Sequence, residues 1–261
     1  MTILKEYQQR WGEKKLVVTN GPRKGFSPNF LSLTCNKDIE ADYYAYSDHD
    51  DIWEPDKLQR AVSWLKTVSS ETPALYCSRL QLVSADQKLL GLSPLYTKSP
   101  SFSNALVQAI GSGNTVVFNN AARQLLLKAG ADVLVVLHDW WAYLVVAACG
   151  GKIFYDPHPS ILYRQHGGNI VGMDLSWRKQ LRRARGICQG MLKKMINLNL
   201  NALKRLESQI TPENKKILNT FCLAREKSIL PRLLGFWQAG IYRHTLFDNC
   251  CLFVAAVLKQ V

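Results

Sequence analysis

From the amino terminus to about residue 163, short apolar runs alternate with stretches whose apolar residues recur at helical spacing. Two acidic clusters stand at junctions of that alternation: Ser47-Asp48-His49-Asp50-Asp51-Ile52-Trp53 and His138-Asp139-Trp140-Trp141. Each follows an apolar run and precedes a helix-like one. Strands alternating with helices imply an α/β fold with a mainly parallel sheet flanked by helices. Ligands bind such sheets outside the carboxyl ends of the strands, which is where both clusters belong.

The individual elements follow from periodicity and punctuation. A helix is expected over Leu4–Trp11, a short strand at Leu16-Val17-Val18, and a second helix opening between Asn29 and Leu33. Asp42–Tyr46 is rich in aromatics and reads as a strand ending at the first acidic cluster. Pro55 suits the first turn of a helix whose Leu58, Ala61, Val62 and Leu65 share a face. A strand at Ala74–Cys77 precedes a hairpin around Ala85-Asp86. Phe102–Ile110 reads as a helix, Thr115–Phe118 as a strand and Ala121–Ala129 as a helix. The Trp140–Cys149 helix is stopped by Gly150-Gly151. Two short strands, Lys152–Tyr155 and Ser160–Tyr163, complete the alternation, and from about Leu175 the pattern is helical.

With 47% apolar and 20% charged residues the chain is globular rather than disordered. Its formal charge of +13 favours an anionic partner; nucleic acid, anionic lipid and sugar nucleotide all qualify. Seven unevenly spaced cysteines with no Cys-x-x-Cys pair argue against a disulfide framework or a structural zinc site and fit a reducing compartment. Met1–Tyr7 does not have the character of a signal peptide, and no apolar stretch is long enough to span a bilayer. Leu246–Leu258 comes closest, and it suits lying on a membrane as well as it suits a buried terminal helix. Arg178–Arg205 carries nine basic residues and no acidic one, a pattern that fits anionic headgroups or a solvated helix face. No RNA-binding motif accompanies this charge, so nucleic acid is not the expected partner.

Asp48, Asp50 and Asp51 repel one another unless a cation or hydrogen bonds offset the repulsion. Mg²⁺ and Mn²⁺ take such oxygen ligands and keep open positions for substrate phosphates; an Asp-rich turn capping the Pro55 helix is the plain alternative. Asp139 at a helix start is placed either to cap that helix or to act as a general base toward a hydroxyl. Arg164 and His166, in Tyr163-Arg164-Gln165-His166, offer phosphate and metal contacts. Gly111-Ser112-Gly113-Asn114 lacks the completion of a P-loop and reads as a pocket wall or a plain loop.

Taken in order, Ser47–Leu58, Gly113–Asn119, His138–Trp141 and Tyr163–His166 resemble bacterial glycosyltransferase family 2, and within it the rhamnosyltransferase-like enzymes of polysaccharide assembly. The resemblance implies a GT-A-like domain over residues 1–172, followed by a basic, mostly helical region over 173–261. It implies an inverting transfer of a sugar, rhamnose among the candidates, from a nucleotide-diphosphate donor to a saccharide acceptor, lipid-linked at the inner face of the cell membrane. Asp48 matches the nucleotide-contacting acid, Asp50 a ligand of Mg²⁺ or Mn²⁺, and Asp51 a support of that cluster. Asp139 matches the catalytic base, with Trp140 and Trp141 on the acceptor side. Gly113, Asn114 and Thr115 match the lining of the donor–acceptor cleft. Arg164 and His166 match positions near the diphosphate and metal.

The family pattern usually opens with a strand, a helix and a second strand that hold the nucleotide base and ribose. Met1 falls where that second strand would end, so the domain is expected to be incomplete at its amino terminus. The alternative expectation is accordingly a catalytically impaired binding or scaffold protein of the same machinery.

Overall fold

The computed structural model describes residues 2–165, 185–186 and 189–261. Among them six strands form one sheet: β1 (Tyr43–Ala45), β2 (Ile52–Trp53), β3 (Ala74–Ser84), β4 (Leu89–Leu92), β5 (Val117–Asn119) and β6 (Lys152–Gln165). Their order is β1-β5-β3-β6-β2, with β4 also paired to β3. β6 runs along β3 from Ala74 to Ser84, so β5 and β4 share the other edge of β3.

The sheet is mixed, which corrects the expectation of a mainly parallel one. Of the strand pairings described, β3–β6 is parallel and the other four are antiparallel. A parallel neighbour requires a long crossover connection, and the chain between β3 and β6 supplies it with three helices. β4 instead returns at once through a tight turn, in which the Ser84 N–H donates to the Lys88 carbonyl (2.9 Å). β1, β2 and β5 are only two or three residues long. Apolar periodicity over so few residues says nothing about strand direction.

The two strands expected at Lys152–Tyr155 and Ser160–Tyr163 are one 14-residue strand with an irregular middle. Its register against β3 shifts between Ser78 and Gln81, opposite Asp156–Leu162. Pro157 and Pro159 lack the N–H groups a regular ladder needs, so the strand bulges there. Leu16–Val18 is not a strand: Val17 is exposed, and among the described residues no strand pairs with the segment.

Helices α1 (Thr2–Trp11), α2 (Phe26–Thr34), α3 (Lys57–Leu65), α4 (Phe102–Ala105), α5 (Asn120–Ala129) and α6 (His138–Ala148) belong to this part of the chain. α6 is buried along its whole length apart from partly exposed Asp139. A helix apolar all round belongs inside a core, and α6 is the centre of this one. Trp140, Trp141, Tyr143 and Leu144 pack with Leu75, Phe118 and Leu126 in a single large cluster. That cluster continues into α7 (Met191–Leu203), α8 (Pro212–Glu226), α9 (Ile229–Gln238) and α10 (Leu246–Val257) through Ile196, Phe221, Phe236 and Ala255. Among the described residues no helix is long and apolar enough to cross a membrane.

Candidate functional site

Strand direction assembles the site. β1 delivers Ser47-Asp48 at its carboxyl end, and antiparallel β5 begins beside that end, with Ala45 opposite Val117. The turn that precedes β5, Gly113-Asn114-Thr115, is thereby brought against the first acidic cluster. β2 is likewise antiparallel to β6, with Ile52 opposite Leu162, so Asp51 falls beside Arg164. A wholly parallel sheet would have carried these turns to the opposite edge.

Asp51 is the point where three segments meet. Its Oδ2 accepts from Asn114 Nδ2, and its Oδ1 accepts from the Arg164 backbone N–H at 3.1 Å. Arg164 Nε in turn donates to the Asp50 carbonyl. Burial pushes the Asp51 carboxyl up, while the bonds from Asn114 and Arg164 pull the other way. Neither Asp51, Asn114 nor Arg164 lines the adjoining cavity; they brace its rim.

The cavity has a volume of about 710 Å³. Asp48 and Asp50 line it together with Gly113, His138 and Asp139. Phe26 and Phe30 of α2 and Tyr96, Tyr155 and Tyr163 supply aromatic wall. Large apolar walls with a few convergent polar groups are the ordinary make-up of a small-molecule site. The two acidic clusters therefore share one cleft.

Burial pushes the Asp139 carboxyl up to about 6, and the charge of Asp48 acts in the same direction. Backbone N–H groups of Trp140 and Gly113 oppose that rise, and the Trp140 N–H lies 2.7 Å from Oδ1. Burial, then the charges of Asp51 and Asp50, push Asp48 up to about 6 as well. Asp139 is thus ionised at neutral pH and more basic than an ordinary carboxylate, which is what a general base for a hydroxyl requires.

His138 is buried, with its ring stacked face to face on Phe30 (3.9 Å between centroids) and edge-on to Tyr46 (4.7 Å). Burial pushes its pKa down to about 3, so the imidazole is neutral, and among the described residues neither ring nitrogen has a hydrogen-bond partner. A Cβ added at Gly113 would stand 2.8 Å from His138 Nε2 and 3.0 Å from Cε1. Only glycine lets the turn approach the helix start this closely.

The remaining expected site residues are placed differently. Trp140 and Trp141 are buried core residues and do not line the cavity; Trp140 Nε1 donates to the Ala105 carbonyl (2.7 Å). Thr115 is fully buried, with its hydroxyl donating to the Ser112 carbonyl (2.8 Å), so it shapes the turn behind Gly113. His166 lies outside the described residues. Among those described, no three His, Cys, Asp or Glu side chains converge as a metal-ligand group. Asp48 and Asp50 nonetheless present two mutually repelling carboxylates to one cavity, a donor set that suits a hard cation completing its shell with phosphate and water.

Sequence reasoning passed over the aromatic wall. Phe26 and Phe30 share a face of α2 at i, i+4 spacing, which signals a packed helix but not what it packs against. Lys57 was also missed: it is buried, with Nζ 3.8 Å from the centre of the Trp53 ring, and burial pushes its pKa down to about 8.

No protein-family model matches the chain. It is 29% identical over 191 residues to the dTDP-rhamnosyl transferase RfbG of Shigella flexneri. That alignment takes in 69% of this chain and 62% of the relative, so the chain spans less than two thirds of the length of the curated protein it matches. The likeness is to a glycosyltransferase.

Proposed function

We propose that this chain is an inverting glycosyltransferase of polysaccharide assembly with a GT-A-like arrangement, moving a sugar from a nucleoside-diphosphate donor to a saccharide hydroxyl. Rhamnose is the first sugar to test, because the matched relative is named for that transfer. The observation that carries the reading is the meeting of Asp48, Asp50 and Asp139 at one cavity. Asp139 accepts the proton of the acceptor hydroxyl as its oxygen attacks the anomeric carbon from the face opposite the leaving group. The new C–O bond forms, the bond to the diphosphate breaks, and the nucleoside diphosphate departs with the negative charge. Asp48 faces the donor. Asp50, with His166 from outside the described segment, is the proposed ligand pair for Mg²⁺ or Mn²⁺, which supplies countercharge to the diphosphate when bound. Arg164 and Asn114 act through Asp51, holding the donor side in register.

Asp139→Asn tests the assignment, because it keeps the shape and removes the base. Transfer to a saccharide acceptor should fall by roughly 10²–10⁴-fold, the usual worth of a general base, while affinity for the nucleoside diphosphate stays within a few-fold. Wild-type turnover should rise as pH increases through about 6. Unchanged turnover in the variant would remove Asp139 from the chemistry. Nucleotide binding by the wild type without any transfer would favour a binding protein instead.

A further inference from the structure

Two helices at the carboxyl end turn apolar faces to solvent. On α9, Leu230, Leu234 and Trp237 follow i, i+4, i+7 spacing and are 73%, 60% and 79% exposed. The opposite side of the same helix, Arg232, Gly235 and Phe236, is buried. On α10, Leu246 and Phe253 share a face with Cys250 and are 83% and 56% exposed, while Leu252, Ala255 and Ala256 are buried. Arg232 Nη1 donates to the Ala256 carbonyl (2.5 Å) and pins the helices together. Between Lys227 and Arg243 the one charged residue is Arg232, which is buried; between Thr245 and Leu258 it is Asp248, which bonds Thr245 and pairs with Arg243. Core packing already accounts for the inward faces. The outward faces carry no charge and expose a tryptophan, leucines and a phenylalanine.

We propose that this helix pair docks on the surface of a bilayer bearing anionic headgroups. Charge complementarity identifies the occupant. Residues 189–261 carry eleven basic side chains against four acidic ones, and the whole chain carries +13. Exposed Lys227 precedes α9, exposed Lys259 follows α10, and Lys193 Nζ bonds the Lys259 carbonyl (2.9 Å) beside exposed Lys194. Exposed apolar helix faces with lysines just beyond the helix ends, and with tryptophan among the apolar residues, match the boundary between headgroups and acyl chains. A second copy of the chain would bring like charge against like. With 10 and 12 residues, the helices are roughly 15 and 18 Å long, about half the hydrocarbon thickness. They lie on the surface and do not cross it.

The test uses the full chain without donor or acceptor, so its outcome is independent of sugar transfer. The wild type should float with phosphatidylglycerol/phosphatidylethanolamine vesicles and bind phosphatidylcholine vesicles at least ten-fold more weakly. Leu230→Ser/Leu234→Ser/Trp237→Ser should lose flotation at least ten-fold with an unchanged melting temperature, since these side chains contribute little to the core. Lys194→Glu/Lys259→Glu should weaken binding and make the remainder less sensitive to salt, because the screened attraction is what the variant loses. Absence of wild-type flotation on either vesicle would overturn the proposal, as would equal binding to both. So would a wild-type dimer, seen by analytical ultracentrifugation, that the triple serine variant converts to monomer without any vesicle binding.

Discussion

Asp51 braces the rim of the cavity without lining it. It follows two carboxylates that face the cavity, Asp48 and Asp50, yet its own oxygens are taken by Asn114 and the Arg164 N–H. Asp51→Ala would leave those two donors half-buried without their acceptor, at a cost of about 1–3 kcal/mol. The expected result is a melting temperature lower by several degrees, together with loss of nucleoside-diphosphate binding as Asp48 and Asp50 lose their register. Asp51→Asn, which keeps one acceptor oxygen, should fall between wild type and Asp51→Ala in both measurements; an unaltered melting temperature in the alanine variant would refute the bracing role. Legibility at this scale is uneven. The cluster at 48–51 stood out because like charges so close need a reason, but sequence spacing cannot tell which carboxylate faces the cavity and which holds the frame. The tandem tryptophans were equally conspicuous, and their bulk went to the core.

At the scale of elements, the bulge in β6 joins the sheet to α3. Asp156 is buried at the bulge and accepts from Tyr76 Oη (2.6 Å), from Arg60 Nε and Nη2 (3.0 and 2.8 Å) and from the His158 N–H (2.9 Å). Burial alone would push its carboxyl up, but these bonds hold it below its ordinary value. Asp156→Ala strands four donor groups on three residues and should destabilise by about 2–4 kcal/mol, lowering the melting temperature by roughly 5–10 °C. Arg60→Met should cost less, because Arg60 is partly solvated and Asp156 keeps the Tyr76 hydroxyl and the His158 N–H as donors. Thermal melts of both variants decide the point, and equal losses would contradict it. The bulge itself was half legible: Pro157 and Pro159 marked an interruption, but one long strand and two short ones leave the same apolar pattern. The direction of β2, β4 and β5 was not legible, apart from the hairpin, because pairing direction depends on which distant strand is the neighbour.

For the whole molecule, the cleft carries an electrostatic cost that pH can relieve. Asp48 and Asp139 both titrate near 6 in the folded state, above the ordinary carboxylate value that applies to the unfolded chain. Between about pH 4 and 6 these two carboxylates hold more protons in the folded chain than in the unfolded one, so their own contribution to stability falls as pH rises through that window, against the opposite contribution of buried His138 and His244. Asp139→Asn removes its share of the cost. The variant should melt a few degrees above wild type at pH 7.5, with the gap closing toward pH 4.5. A constant gap across that range would show that the charge is not its cause.

The mixed helix–strand composition, the turn residues, the basic and helical carboxyl-terminal region and the two acidic clusters are all readable in the order of residues, because periodicity, punctuation and like-charge crowding are local properties. Tertiary structure alone decided that the clusters share a cleft, that β5 and β2 run antiparallel so that Asn114 and Arg164 reach Asp51, that Phe26 and Phe30 form a wall, and that α9 and α10 keep apolar faces bare. Those outcomes depend on contacts between segments far apart in the chain, where packing and strand pairing choose among arrangements that local spacing leaves equal.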